Sequence, residues 1–268
     1  MNSVKIGLIF LIIVIILIIL AHYYSVIRFD NTMTINQITD YDTEKIAIAQ
    51  KNNTPVIVKN FIESEIQIDY DKIPETSCTQ IIYSGQNWEK ITSDVKLNIG
   101  KIYKLFNTKN KRNGIDFKLV NNEILYNIMN PGLLKKLFEK SYSTNDILYK
   151  ILQRDIFISL YPMNYRSNII QIFNRFTTYV VIKGEVSFNL YHPKYISNLK
   201  KRSNNANMIT YQYPNNENIN YITVIVRQSG AIILPYNWAY DFNIIENAEI
   251  LRIDDNNMFS NIIYKFEK

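Results

Sequence analysis

Two histidines, His22 and His192, and one cysteine, Cys78, are the whole imidazole and thiol complement of this 268-residue chain. Histidine is the usual ligand of catalytic zinc and iron, and His22 lies at the end of an apolar N-terminal run. A metal site built from two imidazoles of the folded part is therefore excluded. One cysteine allows neither an intrachain disulfide nor a cysteine-based metal site. Cys78 with His192 is the available thiol–imidazole couple for nucleophilic catalysis. The two stand far apart in sequence and nothing frames either, so a buried inert thiol and a strand-end imidazole is the favoured reading. The carboxylate pairs Asp254–Asp255 and Glu246 with Glu249 lack the spacing of a calcium loop and read as solvated charge. Seven glycines over the whole chain leave no glycine-rich phosphate loop. The densest basic run is Lys200–Lys201–Arg202. Three cations hold phosphate poorly at physiological salt, so the run reads as a soluble loop tip, with contact to an acidic partner as the alternative. The net charge of +6 is dispersed, and no nucleic-acid binding is expected.

The elements that carry these residues begin with an apolar segment. Residues Ile6 to Ile27 hold no charge and are flanked by Lys5 and Arg28. A spanning helix needs about 20 predominantly apolar residues, and in lipid a single segment satisfies its backbone only as a helix. His22, Tyr23 and Tyr24 sit where interfacial residues belong. A cleaved signal peptide is the rival reading, but the run is longer than a signal core and no small-x-small cleavage site follows it. The expectation is a membrane anchor over residues 1–28, the bilayer its partner through residues 6–27. Lys5 and the α-amino group point to a cytoplasmic N-terminus of a single-pass protein.

Residues 29–268 show no second break in composition and are expected to form one domain. A short helix is expected over Asp40 to Asn53, capped by Asp42. A strand follows at "TPVIVKNFI", with Val56 and Val58 on one side and Ile57 and Lys59 on the other. "TQIIYSG" and "DVKLNIGKIYKLF" add strands. Two helices are expected at "NPGLLKKLFEK" and "STNDILYKILQR", from Pro131 and Ser143 at their starts and an apolar stripe along each. The basic clusters at 109–112 and 135–136 read as solvated. From Asp155 onward short strands crowd together: "DIFISLY", "NIIQIF", "TTYVVIK", "EVSFNLY", "YITVIVRQ", "AIILP", "FNIIE" and "EILRID". Lys183–Gly184 suits a tight hairpin turn, and "KYISNLKKRSNNANM" reads as an exposed loop. Many short strands with turn signals predict a mainly β sandwich or barrel.

Three stretches in order resemble the JmjC and related cupin-like hydroxylases. "NTPVIVKNFIES" is similar to their entry strand, "YVVIKGEVSFNLYHP" to their central hairpin, and "SGAIILPYNWAYDF" to their late strand, where Trp comes shortly before a histidine. The resemblance spans roughly residues 35–255. It implies a double-stranded β-helix, a jelly-roll with a few flanking helices. Active members hold Fe(II) with a His-x-Asp or His-x-Glu pair and a later His, leaving room for 2-oxoglutarate and oxygen; the chemistry needs a carboxylate and two imidazoles fixed on one rigid wall. Counting back from Gly184 by the family's spacing puts Gln171 at the first His and Phe173 at the carboxylate. Tyr240 falls at the later His, and Val186 at the lysine that often grips the cofactor. All four positions depart from the pattern, and residues 155–182 contain no histidine.

The resemblance thus implies a degenerate barrel with no metal, no cofactor and no oxygenase activity, its mouth filled by apolar groups. A structural or protein-interaction role is the leading expectation, with other proteins as partners. Abundant Ile, Asn, Lys and Tyr read as AT-rich coding, as in large DNA viruses of eukaryotes, and point to a membrane component of such a particle. One alternative is a small-ligand or enzymatic barrel that dispenses with the iron triad and lines its cavity with Tyr240, Gln171 and Asn174. Another is an ordinary jelly-roll without hydroxylase ancestry.

Overall fold

The computed structural model describes residues 2–27, 32–62, 76–83, 90–97, 114–119, 153–205, 208–213, 219–236 and 238–256. The helices expected near Pro131 and Ser143, with the basic clusters at 109–112 and 135–136, lie outside the described residues.

The apolar run forms α1 (Asn2–Ile27), a helix of 26 residues. At 1.5 Å per residue that is about 39 Å. Its side chains are described for residues 5–20, and over the described residues no helix is long and apolar enough to cross a membrane. Ile6, Phe10 and Leu17 all stand exposed.

After β1 (Asn36–Asp40) comes α2 (Thr43–Lys51), started by Asp42, whose carboxylate accepts from the backbone N–H groups of Glu44 and Lys45 at 3.0 and 3.1 Å. This is the expected cap, and it satisfies donors that no helix can satisfy for itself. Then follow β2 (Val56–Asn60), β3 (Thr76–Tyr83), β4 (Lys90–Leu97), β5 (Gly114–Leu119), β6 (Gln153–Tyr161), β7 (Ile169–Ile172) and β8 (Phe176–Tyr191). A single turn, α3 (Pro193–Ile196), leads to β9 (Lys201–Asn205) and β10 (Met208–Tyr211), and β11 (Tyr221–Arg227), β12 (Ala231–Pro235) and β13 (Ala239–Asn256) are the last described elements. The expected loop from Lys194 to Met208 instead holds most of α3 and all of β9, and β9 pairs with β10.

The strands form one open, mixed sheet in which only β1 and β2 run parallel among the described pairs. Its frame is two long antiparallel strands, β8 and β13. The first half of β8 pairs with β12 on one side and the second half of β13 on the other. The second half of β8 pairs with β11 and with the first half of β13. β6 completes the first set beside the end of β13, and β7 the second, through Tyr240 opposite Ile170. Two sets of four result: β6, late β13, early β8 and β12; then β7, early β13, late β8 and β11.

This corrects the expected hairpin. Lys183–Gly184 joins no pair of antiparallel neighbours; it lies inside the continuous strand β8. Gly184 takes φ +87°, and a Cβ there would stand 2.4 Å from the carbonyl oxygen of Asn247. The register of β13 shifts between Ile244 and Ile250, opposite that glycine. Irregularities on both strands at the same level let the pair bend from one set into the other.

Alternation then decides what goes inside. Tyr179, Val181, Val186, Phe188, Phe242 and Ile244, from both sets, meet in one apolar cluster. The opposite face of the first set, with Val180, Ile182, Leu251 and Ile253, packs under α2 through Ile46 and Ala49. Val56 and Val58 join that outer cluster while Ile57 reaches the inner one, as the alternation in β2 predicts.

Candidate functional site

The site is the apolar interior where β13 passes β7 and β8. Tyr240 enters it from the first half of β13 and is fully buried. Its hydroxyl lies 2.8 Å from that of Tyr179 on β8, either one able to donate. Their rings stand edge-on at 5.8 Å, and Phe188 and Phe242 close around Tyr179 at 5.4 and 6.0 Å. Removal from water pushes both phenols far above the usual tyrosine range, so both stay neutral. Val186 also faces inward, fully buried, with Val226 and Ile244 as its strand partners.

Gln171 and Phe173 do not share this interior. Strand side chains alternate, and on β7 it is Ile170 and Ile172 that point inward with Tyr240. Gln171 turns to the other face, where its Oε1 accepts from the Tyr211 hydroxyl at 2.7 Å. Phe173 packs there against Tyr236, ring centres 5.4 Å apart. In a period-2 element successive residues take opposite faces, so Gln171 and Phe173 lie away from Tyr240. Asn174, just beyond β7, is buried and its Nδ2 reaches the Thr177 hydroxyl at 3.4 Å. Gln171 and Tyr240, lying on opposite faces of the sheet, do not line one cavity. Among the described residues no group of three or more His, Cys, Asp or Glu is placed to hold a metal ion.

Farther along, the same interior turns polar. Arg252 and Asp254 alternate with Leu251 and Ile253 on β13 and are both buried. The Arg252 Nη1 donates to Asp116 Oδ2 at 2.7 Å, and its Nε stands 3.4 Å from Asp254 Oδ2. The Tyr161 hydroxyl donates to the other Asp116 oxygen at 2.7 Å, and the guanidinium stacks 3.8 Å over the Phe157 ring. Burial pushes the Asp254 carboxyl up to about 6, helped by the negative charges of Asp155 and Asp116 and opposed by Arg252. Asp255 points to the opposite face and receives the Nε and Nη2 of Arg154 at 2.5 and 3.1 Å. Asp254–Asp255 is thus not the solvated pair expected from sequence. Both carboxylates are buried and held by arginines, because this half of β13 is covered on both faces.

Asp241, beside Tyr240, faces out of the interior yet is fully buried. It accepts from Asn189 Nδ2 at 2.6 Å and Arg166 Nη2 at 3.3 Å, and Thr223 donates in turn to Asn189 at 2.8 Å. His192 is buried too; its Nδ1 accepts from the Lys194 N–H at 3.3 Å to cap α3, and its ring stands edge-on to Trp238 at 5.1 Å. The imidazole packs and caps. Cys78 lies on β3, and its side chain falls outside the described residues. Lys200, Lys201 and Arg202 are exposed as expected, the last two on β9 rather than on a loop tip.

No protein-family model matches this chain, and no curated protein matches it either.

Proposed function

We propose that the chain is a membrane-anchored, catalytically inactive domain of the JmjC/cupin-like type with a structural or protein-interaction role. One observation supports the inactivity: the Tyr240 and Tyr179 hydroxyls share one hydrogen bond inside the interior, with Ile170 and Ile172 beside them. An iron site of the hydroxylase kind needs a carboxylate and two imidazoles converging there. The interior offers phenol and aliphatic groups instead.

The jelly-roll reading draws support from strand order. Counting β6, β7, the halves of β8, β11, β12 and the halves of β13 as strands one to eight, the two sets run 1-8-3-6 and 2-7-4-5. That interleaving is the order of a double-stranded β-helix. The anchor reading rests on the sequence, whose uncharged run from Ile6 to Ile27 matches the about 20 predominantly apolar residues that a span needs. Composition adds a large DNA virus particle as the setting of that membrane.

A carbonate wash of membranes carrying the full chain tests the anchor: the protein stays in the pellet. Release into the supernatant would remove the anchor from the account. Metal analysis of the detergent-purified chain tests the inactivity, and stoichiometric iron would overturn it.

A further inference from the structure

The two four-strand sets have four outer edges, and three of them are extended by further strands. β6 continues into β5, β3 and β4; β12 into β2 and β1; β7 into β10 and β9. Among the described residues β11 alone ends its set, paired with β8 on one side only. An open edge presents unpaired N–H and C=O groups and invites another strand. Edges are ordinarily blunted by short length, charge, proline or bulges. β1 is five residues with Asp40 at its end, and β9 opens on Lys201 and Arg202. β11 has seven residues in unbroken register, no proline, and Arg227 as its single charge. Its outer face carries Tyr221 and Ile225, 53% and 49% exposed.

We propose that β11 is a pairing edge completed by the β11 of a second copy of this chain, antiparallel about Val224. The strand's own sequence supports this occupant. In that register Tyr221 faces Arg227, Thr223 faces Ile225, and Ile222 faces Val226. The outer face then gains two Arg–Tyr pairs, which attract through the ring face. It also gains two Thr–Ile pairs of β-branched type, which suit cross-strand contact. No like charges stand opposite. On the inner face Ile222, half-buried in one copy, gains cover. A two-fold contact of this kind is self-closing, so it yields a dimer and not a fibre. The proposal supplies the interaction role above with a first partner. It rests on that reading in one respect: anchors in one bilayer hold copies in a plane and raise their effective concentration.

The experiment is sedimentation of the full chain in mild detergent, with metal content read on the same sample. The wild type should move from monomer to dimer with rising concentration. T223K/I225K puts lysines opposite lysines across the two-fold and should weaken the dimer about tenfold or more. T223E/I225K puts glutamate opposite lysine and should restore it. Both positions are exposed, and circular dichroism verifies that each variant is folded. A wild type that stays monomeric overturns the proposal, as does a dimer that survives T223K/I225K, which would be association through α1. Equal loss in both variants overturns the antiparallel register. A metal-free monomer would leave the inactivity standing and remove the second copy as partner.

Discussion

The two halves of β13 line the same interior and are built on opposite principles. The first half offers Tyr240, Phe242 and Ile244, closed by rings and by one phenol–phenol hydrogen bond. The second half offers Arg252 and Asp254, closed by Asp116, Tyr161 and the face of Phe157. Polar atoms are equally buried in both, so burial alone does not separate them. What separates them is how partners are supplied. Two neutral hydroxyls share one hydrogen bond, whereas a guanidinium needs carboxylates, here Asp254 from β13 itself and Asp116 from β5, two strands away. The first half is packed as an apolar core. The second half holds charge that serves to join β5 to β6 and β13.

The charged half is the easier to break. Arg252→Met strands the Asp116 and Asp254 carboxylates in the interior, and removing one partner of a buried ion pair costs about 3–5 kcal/mol. Chemical denaturation of the full chain in detergent should show a loss of that size; a loss below 1 kcal/mol would mean that water reaches the cluster. A pH series sharpens the same end. The folded Asp254 carboxyl stands at about 6, above its ordinary 3.8. The folded state therefore holds this proton more tightly than the unfolded chain. Its contribution is fully present below the ordinary value and is lost as pH rises through about 6, up to about 3 kcal/mol. Asp241 and Asp255 are raised in the same direction by burial. Asp254→Asn should flatten the fall in stability between pH 4 and 7, and an unchanged slope would remove Asp254 as its cause.

The aromatic half responds less. Tyr240→Phe leaves the Tyr179 hydroxyl without its partner and should cost about 1–2 kcal/mol. The double change with Tyr179→Phe should cost little more than the single one, since two hydroxyls lost together leave nothing unpaired. Additive losses would deny the pair. Away from the interior, exchanging Lys200, Lys201 and Arg202 for glutamine should change stability by less than about 0.5 kcal/mol.

Much of the frame was legible because it depends on local pattern. The Asp42 cap, the two faces of β2 and the strands from Asp155 onward follow from capping chemistry and alternation. Lys183–Gly184 misled, because a glycine at positive φ serves a bend within one long strand as well as a turn between two. On β7 the pattern is ambiguous for a related reason: in "IIQIF" every position but Gln171 is apolar, so alternation does not say which face is inside. Gln171 and Phe173 were assigned by family spacing and lie on the face away from Tyr240. The Arg252 cluster was hidden for the opposite reason. "EILRIDD" alternates as a half-exposed strand would, and only tertiary covering of both faces turns those charges inward. Asp116, which compensates Arg252, arrives from a strand 136 residues away in sequence, where no pattern points to it.

The most direct test of the central claim is thermal melting of the full chain, and of its Tyr240→His variant, with and without Fe(II), Mn(II) and 2-oxoglutarate, with metal content measured on the same samples. The account predicts no stoichiometric metal and no shift in either protein, because a single introduced imidazole faces Ile170 and Ile172. A ligand at a hundred times its dissociation constant adds about 2.7 kcal/mol. A shift of that order in the wild type, with bound metal, would contradict the inactive interior and return the chain to the enzymes.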